Sequence, residues 1–365
     1  MRILQISSAS SFGGGERYAV DLSNSLSKRG HELFAAVRPQ SPLANYLELP
    51  RANIKTLPLR NALDAPTAQA LARIVKENRI DVVHAHMARD YSLAAYAVRS
   101  IPTAKLFVTR HVLFPLNRLH RHTLGKAAKV IAVSNSVAQQ LRNQQLVPEE
   151  KIAVIPNGID VARYRRALEN FDRKSFLKSK HLPTESLLVG SIGELRILKR
   201  HDDFIRAAAR VAREVPNTHF VIAGVDTSPN EEHRRQLQSL VADLQLSDRV
   251  HFLGWLDDAD QLLCALDAFV SASETESFGL SIAEAMATGT SVVATRTEGA
   301  QEVVEDEASG LLVPIGDVDQ TAAALIRLLK NEALRMQLGE RAAKVVQERF
   351  SLDRMVDAIE KLYQE

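Results

Sequence analysis

The sequence has 365 residues, 25% charged and 45% hydrophobic, with 46 Lys and Arg against 44 Asp and Glu. That is enough apolar side chain for substantial cores, it excludes a disordered polyelectrolyte, and the length exceeds one ordinary core, so two domains are expected. The near-neutral sum hides a division: residues 1–180 hold 28 basic and 13 acidic side chains, and residues 181–365 hold 18 and 31, which predicts two bodies with different partners.

In chain order, Ile3-Leu4-Gln5-Ile6 reads as a buried strand, broken by Gly13-Gly14-Gly15. Tyr18, Leu22 and Leu26 then recur at helical spacing until Gly30. Further strands are expected at residues 33–37, 82–83, 106–109, 130–133 and 152–155, with a helix over 68–77. The charge-rich, weakly periodic stretch 161–186 reads as the interdomain linker. The pattern then repeats. Strands are expected at 187–190, 220–223, 250–253, 268–270, 291–294 and 310–313, and helices at 203–215, 234–244 and 280–287. Two long helices are expected to close the chain. Alternation of this kind predicts parallel sheets covered by helices on both faces, an α/β class with two Rossmann-like domains in tandem. The expected domains are residues 1–165 and 180–349. In open parallel sheets ligands bind beyond the carboxyl ends of the strands, so two facing sheets would enclose a cleft for two substrates.

Other classes are disfavoured. The single cysteine, Cys264, permits no intrachain disulfide and no cysteine cluster for zinc. The first apolar run is too short for a signal peptide, and no stretch of about 18 apolar residues suggests a membrane span. A cytoplasmic location is the expectation. With 19 aromatic residues, no surface for stacking nucleic acid is expected.

Three segments are candidates for chemistry. Gly13-Gly14-Gly15-Glu16 joins the first strand to its helix, and a helix start approached by small residues suits a phosphate; the alternative is a plain tight turn. It lacks the spaced G-x-G-x-x-G fingerprint, which disfavours a dehydrogenase. In residues 276–284, Glu276 and Glu284 lie eight apart, and Ser277, Phe278, Gly279 and Leu280 lead from a loop onto a helix. The N–H groups at that helix start can receive an anion, and a flanking carboxylate can accept from sugar hydroxyls. Spacing alone equally allows an unrelated acidic pair. After the first strand of the second half, Gly193-Glu194-Leu195-Arg196-Ile197-Leu198-Lys199-Arg200 places cations where a diphosphate leaving group could be neutralised, or is a solvated basic loop.

These segments, in order with residues 81–86, 154–160, 252–254 and 284–294, resemble glycosyltransferase family 4, whose members have the two-domain GT-B fold. The similarity runs over nearly the whole length, and the Glu-x7-Glu element around Phe278-Gly279-Leu280 is its most specific part. The resemblance implies that the second domain binds a nucleotide-sugar donor. Glu284 matches the family glutamate on the ribose, Glu276 the one near the transferred sugar, and Lys199 the lysine on the diphosphate. Leu256 matches, loosely, the position that holds the base through its main chain. The family usually has arginine directly after the glycine matching Gly193; this chain has Glu194 there, and Arg196 is the substitute. Gly14, beside Gly13, matches the glycine that meets the donor phosphate, and His111 the histidine near the reacting sugar. Glu16, His84 and His86 are assigned to the acceptor side. His84 and His86 could also simply pack at the sheet end.

The resemblance further implies a retaining transfer by same-face attack, closure of the two domains over the substrates, no metal requirement, and residues 350–365 packing back on the first domain. Two D-x-D sequences, Asp258-Ala259-Asp260 and Asp317-Val318-Asp319, fall near expected helix starts, where aspartates serve as caps. A UDP-sugar is expected over a GDP-sugar, and the acceptor is expected to be a glycan or glycolipid of the cell envelope or an exopolysaccharide. Between residues 105 and 129 lie Lys105, Arg110, Arg118, Arg121, Lys126 and Lys129 with no acid, interleaved with Leu113, Phe114, Leu116, Leu119 and Leu124. Such a segment can lie on an anionic membrane surface or receive an anionic acceptor, or be a helix whose leucines face the core. Alternatives on the same fold are a sugar phosphorylase, a nucleotide-sugar epimerase, or a non-catalytic binding protein.

Overall fold

The computed structural model describes residues 1–169 and 171–365. It divides into two compact units, Met1–Gly158 with Leu352–Glu365, and Ile159–Ser351.

The first unit is built on a seven-stranded parallel sheet. Its strands are β1 (Arg2–Ser7), β2 (Glu32–Val37), β3 (Ile54–Thr56), β4 (Val82–Ala85), β5 (Lys105–Arg110), β6 (Lys129–Ala132) and β7 (Ile152–Val154). Their order is β3-β2-β1-β4-β5-β6-β7. Chain order reverses between β1 and β4, where Ile3 pairs with Val82 and Leu4 with Val83. The central strands are apolar nearly end to end because helices cover both faces, and Ile3, Leu4, Val83 and Val108 are fully buried. Strand β3 is absent from the sequence reading: three residues at a sheet edge, none fully buried, give no apolar run to detect. The helix Leu352–Gln364 belongs to this unit. Arg29, at the end of the helix Gly14–Lys28, holds it through Asp357 at 2.6 Å and Glu360 at 2.9 Å, and the Tyr363 ring packs on Phe107.

The second unit carries a six-stranded parallel sheet: β8 (Leu187–Ile192), β9 (Thr218–Ala223), β10 (Val250–Gly254), β11 (Ala268–Ser271), β12 (Val292–Thr295) and β13 (Leu311–Val313), ordered β10-β9-β8-β11-β12-β13. Here the order reverses between β8 and β11. One core layer gathers Phe269, Ile282, Met286 and Val346, and the other Phe204, Phe220, Val241 and Leu325.

The stretch read as a linker is different in the structure. Residues Val161–Glu169 and Arg173–Ser179 are helices of the second unit, Tyr164, Phe176 and Leu177 are buried, and the first unit ends at Gly158 rather than at 165. Arg173 explains part of the charge, since it donates to the Ala265 and Ser186 carbonyls and pairs with Asp267. Three helices, not two, end the chain: Val318–Lys330, Glu332–Arg349 and Leu352–Gln364. Asn331 makes the first break by capping the next helix, its side chain accepting from Leu334 N–H.

Candidate functional site

Both strand-order reversals carry polar loops at the carboxyl ends of their strands, the positions where open α/β sheets bind ligands. Each unit presents its own set of groups.

In the first unit, β1 runs into the Gly13–Gly15 turn and the helix Gly14–Lys28. Gly13 is extended, with φ −140° and ψ −161°, so this turn needs no left-handed backbone. The turn stands against His111: a Cβ on Gly15 would lie 3.5 Å from its ring, at ordinary contact. Glu16 accepts from Gly13 N–H at 2.9 Å and so completes the helix start. The N–H groups of the first helical turn have no acceptor within the helix, which makes this end receptive to an anion.

His111 follows β5 and lies half-buried at that helix start, with the edge of Tyr18 4.8 Å away. Burial first, then His86 and Arg110, lower its pKa well below the usual 6.5, so the ring is neutral at pH 7. His86, after β4, lies with Nδ1 3.4 Å from His111 Nε2 and Nε2 2.7 Å from Gln5 Oε1. Its pKa falls to about 3 through burial. His84 is fully buried, Nδ1 at 2.5 Å from the Tyr363 hydroxyl and Nε2 at 2.7 Å from Thr109 Oγ1. Neither ring nitrogen is left over, so His84 lines no surface, and the acceptor-side expectation does not fit it.

In the second unit, the loop after β8 and the loop after β11 meet. Lys199 Nζ donates to Glu276 Oε1 at 2.6 Å, with the two side chains 28% and 12% exposed. Ser273 Oγ donates to the same oxygen at 2.7 Å. Gly279, at φ +94°, is the left-handed residue that turns the chain into the helix Leu280–Ala287. Phe278 is buried and Ser277 half-buried at that turn, and Glu284 lies one turn into the helix on a half-buried face. Leu256 is partly buried against the core beyond β10, next to Gly254 at φ +66°. Arg196 is 64% exposed and pairs with Glu194 at 3.5 Å, so these two charges offset one another.

Three contributors escaped the sequence reading. Ser273 sits three residues before Glu276 and carries no motif. Arg163, in the stretch read as linker, donates to Asp260 at 3.0 Å and feels the charge of Glu284. Gly224, ending β9, brings its backbone against the Lys199 loop: a Cβ there would fall 1.9 Å from Gly193 O. Arg163 and Gly224 have no local signal because their partners are distant in sequence, and Ser273 has none because a serine in a loop carries no motif.

The D-x-D aspartates are occupied. Asp258 pairs with Lys180 at 2.9 Å and Asp260 with Arg163. Asp317 caps the helix Val318–Lys330 by accepting from Gln320 N–H, and Asp319 pairs with Arg210. Among the described residues, no three His, Cys, Asp or Glu side chains are grouped to hold a metal, and no helix is long and apolar enough to cross a membrane. The basic segment 105–129 is not one element. Lys105 and Arg110 bound β5, residues His120–Leu124 form a short helix, and Lys129 opens β6. Arg110 is buried, donating to the Phe114 carbonyl. Phe114 and Leu119, 57% and 75% exposed, remain at the surface with Arg118, Arg121 and Lys126.

The family models for glycosyltransferase family 4 and for glycosyl transferases group 1 match residues 12–163 and 172–345. The lipopolysaccharide core biosynthesis glycosyltransferase LpsE of Rhizobium meliloti (strain 1021) is 31% identical over 353 residues, 95% of this chain and 94% of the relative. This chain belongs to the family 4-like glycosyltransferases. This glycosyltransferase is also 29% identical to the N-acetyl-alpha-D-glucosaminyl L-malate synthase of Bacillus anthracis, over 97% of its own length and 94% of the relative's. Its fold is GT-B. A glycosyltransferase from Rickettsia africae ESF-5 superposes with a TM-score of 0.86 at 23% identity, covering 100% of this chain and 97% of the other. Anabaena HepE, solved with UDP-glucose, gives 0.85 at 22% identity, covering 99% and 98%. The enzyme is a hexosyltransferase, with relatives named for lipopolysaccharide core and phosphatidyl-myo-inositol glycosylation.

Proposed function

We propose that this enzyme transfers a hexose from a nucleotide sugar, a UDP-sugar in preference to a GDP-sugar, to a glycan or glycolipid acceptor of the cell envelope, with retention of anomeric configuration. The observation that carries the reading is Lys199 held on Glu276, beside the start of the helix Leu280–Ala287 and at the carboxyl ends of β8 and β11. An incoming diphosphate competes with Glu276 for Lys199. Once Lys199 turns to phosphate, Glu276 keeps Ser273 as a donor and gains capacity to accept from sugar hydroxyls. Glu284 takes the ribose, Leu256 the base, and the backbone of Ser277, Phe278, Gly279 and Leu280 the sugar and phosphates. As the sugar–phosphate bond breaks, charge grows on the diphosphate, and Lys199, Arg196 and the helix-start N–H groups stabilise it. Gly13, Gly14 and His111 serve the donor phosphate and reacting sugar from the first unit. The UDP preference is supported by the UDP-glucose bound to HepE.

The D-x-D aspartates are tied up in caps and ion pairs, which supports a metal-independent reaction. Phe114 and Leu119, exposed among Arg118, Arg121 and Lys126, support peripheral contact with an anionic membrane on the cytoplasmic face.

Thermal shift with UDP-, GDP- and ADP-sugars tests the donor, because a ligand of the native state alone raises its apparent stability. One donor is expected to raise Tm and to be hydrolysed slowly without acceptor. Protection by none of them, or release of sugar phosphate from a disaccharide given inorganic phosphate, overturns the reading. Co-sedimentation with anionic vesicles at low salt tests the membrane contact, and Phe114→Ser with Leu119→Ser should reduce it.

A further inference from the structure

The first unit contains a buried polar network that the proposed reaction does not by itself require. It begins at Gln5 on β1, passes through His86 to His111, and continues separately from Tyr363 through His84 and Thr109 to Tyr18, which packs against His111. Gln5, His84, His86, Thr109, Tyr18 and Tyr363 are all buried. Both His86 and His111 are neutral, so one imidazole must donate and the other accept across their 3.4 Å contact.

Gln5 decides the direction. His86 Nε2 lies 2.7 Å from Gln5 Oε1, and a carbonyl oxygen only accepts, so the proton is on Nε2 and Nδ1 carries the lone pair. His86 Nδ1 then accepts from His111 Nε2–H. Gln5 Nε2, at the other end of the amide, is buried and makes no hydrogen bond among the described residues. The Tyr363 hydroxyl lies 2.5 Å from His84 Nδ1, and Thr109 Oγ1 lies 2.7 Å from His84 Nε2. With the proton of His111 directed inward, its Nδ1 is the remaining acceptor, and no hydrogen bond among the described residues engages it.

We propose that His86, oriented by Gln5, is a positioning residue that holds His111 as its Nε2–H tautomer and keeps the His111 Nδ1 lone pair available to a hydroxyl of the transferred sugar. This rests on the reading of His111 as the histidine beside the reacting sugar. His86 itself does not touch substrate. It removes the tautomer in which Nδ1 would bear hydrogen and would face a sugar hydroxyl as a second donor. The ring Gly15 approaches is thereby fixed in orientation as well as in place. His84 ties the His86–His111 pair to the end of the helix Leu352–Gln364, since its Nδ1 lies 2.5 Å from the Tyr363 hydroxyl and its ring 4.4 Å from that of His86.

The test is long-range proton–nitrogen correlation on the full-length protein labelled with 15N-histidine, His111 being assigned from the His111→Gln spectrum. The parent is expected to show His111 protonated on Nε2, and Gln5→Leu and His86→Ala to show both tautomers. In kinetics, His86→Ala should lower kcat by about 10- to 100-fold, the scale for losing a partner that orients a functional histidine. KM for the nucleotide sugar should change by less than about 3-fold, since phosphate and base contacts lie elsewhere. His86→Gln, whose side-chain oxygen can still accept from His111 Nε2–H, should recover most of that loss. A parent His111 protonated on Nδ1 overturns the proposal without any variant having to fold. So does a folded His86→Ala with parental kcat when His111→Ala is inactive. A fully active His111→Ala instead removes the reading on which the proposal rests, while the tautomer assignment still stands or falls by the spectrum.

Discussion

Alanine at Gly224 tests whether the Lys199 loop is held by backbone packing. The added Cβ would sit 1.9 Å from Gly193 O and 2.7 Å from Gly193 C, while ordinary contact begins near 3.4 Å, so about 1.5 Å of separation must be found. Neither side yields cheaply. Gly193 N–H donates to the Ala223 carbonyl and Leu195 N–H to the Val225 carbonyl, both at 2.9 Å, and Gly224 N–H donates to Gly254. Separation at Gly193 shifts the loop carrying Lys199, and a misplacement of about 1 Å costs about 100-fold in rate. Overpacking of this kind also costs about 1–3 kcal/mol of stability. Gly339→Ala provides the control, since its Cβ would lie 1.9 Å from Gly289 O, the same collision between different elements. Both variants should lose a few degrees of Tm. At a temperature where both are folded, Gly224→Ala should lose about 100-fold in kcat/KM for the donor and Gly339→Ala less than about 2-fold. Equal activity losses, or a destabilised Gly224→Ala with parental kcat/KM, would refute the reasoning.

Lys199→Met keeps the stem that packs over Gly193 but removes the charge; kcat with the preferred donor should fall by about 100- to 1,000-fold, and a loss under about 5-fold would assign the diphosphate to other groups. Asp90 is fully buried, accepts from Ser8 N–H at 2.8 Å, and burial raises its pKa from 3.8 to about 6. Its folded-state pKa is raised, so folding is favoured below about 3.8, and that advantage is lost as pH climbs through 6. The stability of Asp90→Asn relative to the parent should therefore rise by about 2 kcal/mol between pH 4 and pH 7 in denaturant melts, whereas a flat difference would place Asp90 in solvent. Taking the difference removes the opposite trend from buried histidines such as His201, whose pKa is lowered to about 4 by burial. EDTA should leave transfer unchanged, because the D-x-D carboxylates are held in caps and ion pairs; loss restored by Mg2+ or Mn2+ would show that one of them is recruited.

By itself the sequence determined the class and the order of parts. Alternating apolar runs and helical periodicities specify parallel sheets, and the segments at residues 13–16, 81–86, 154–160, 252–254 and 276–294 identify the family. These features are local, since a strand's apolar run or a glycine before a helix is complete within ten residues or so. Tertiary structure decided what lies beside what. Lys199 and Glu276 are 77 positions apart, and meet because β8 and β11 are neighbours in the sheet. His84 and Tyr363 are 279 apart, and join because the last helix belongs to the first unit. The charge division changes for the same reason. The basic stretch after Gly158 belongs to the acidic unit and the acidic last helix to the basic one, so the units hold 23 basic with 14 acidic and 23 basic with 30 acidic side chains. An asymmetry of +15 against −13 between sequence halves becomes +9 against −7 between units. Composition is read along the chain, whereas fields act between groups that folding has brought together.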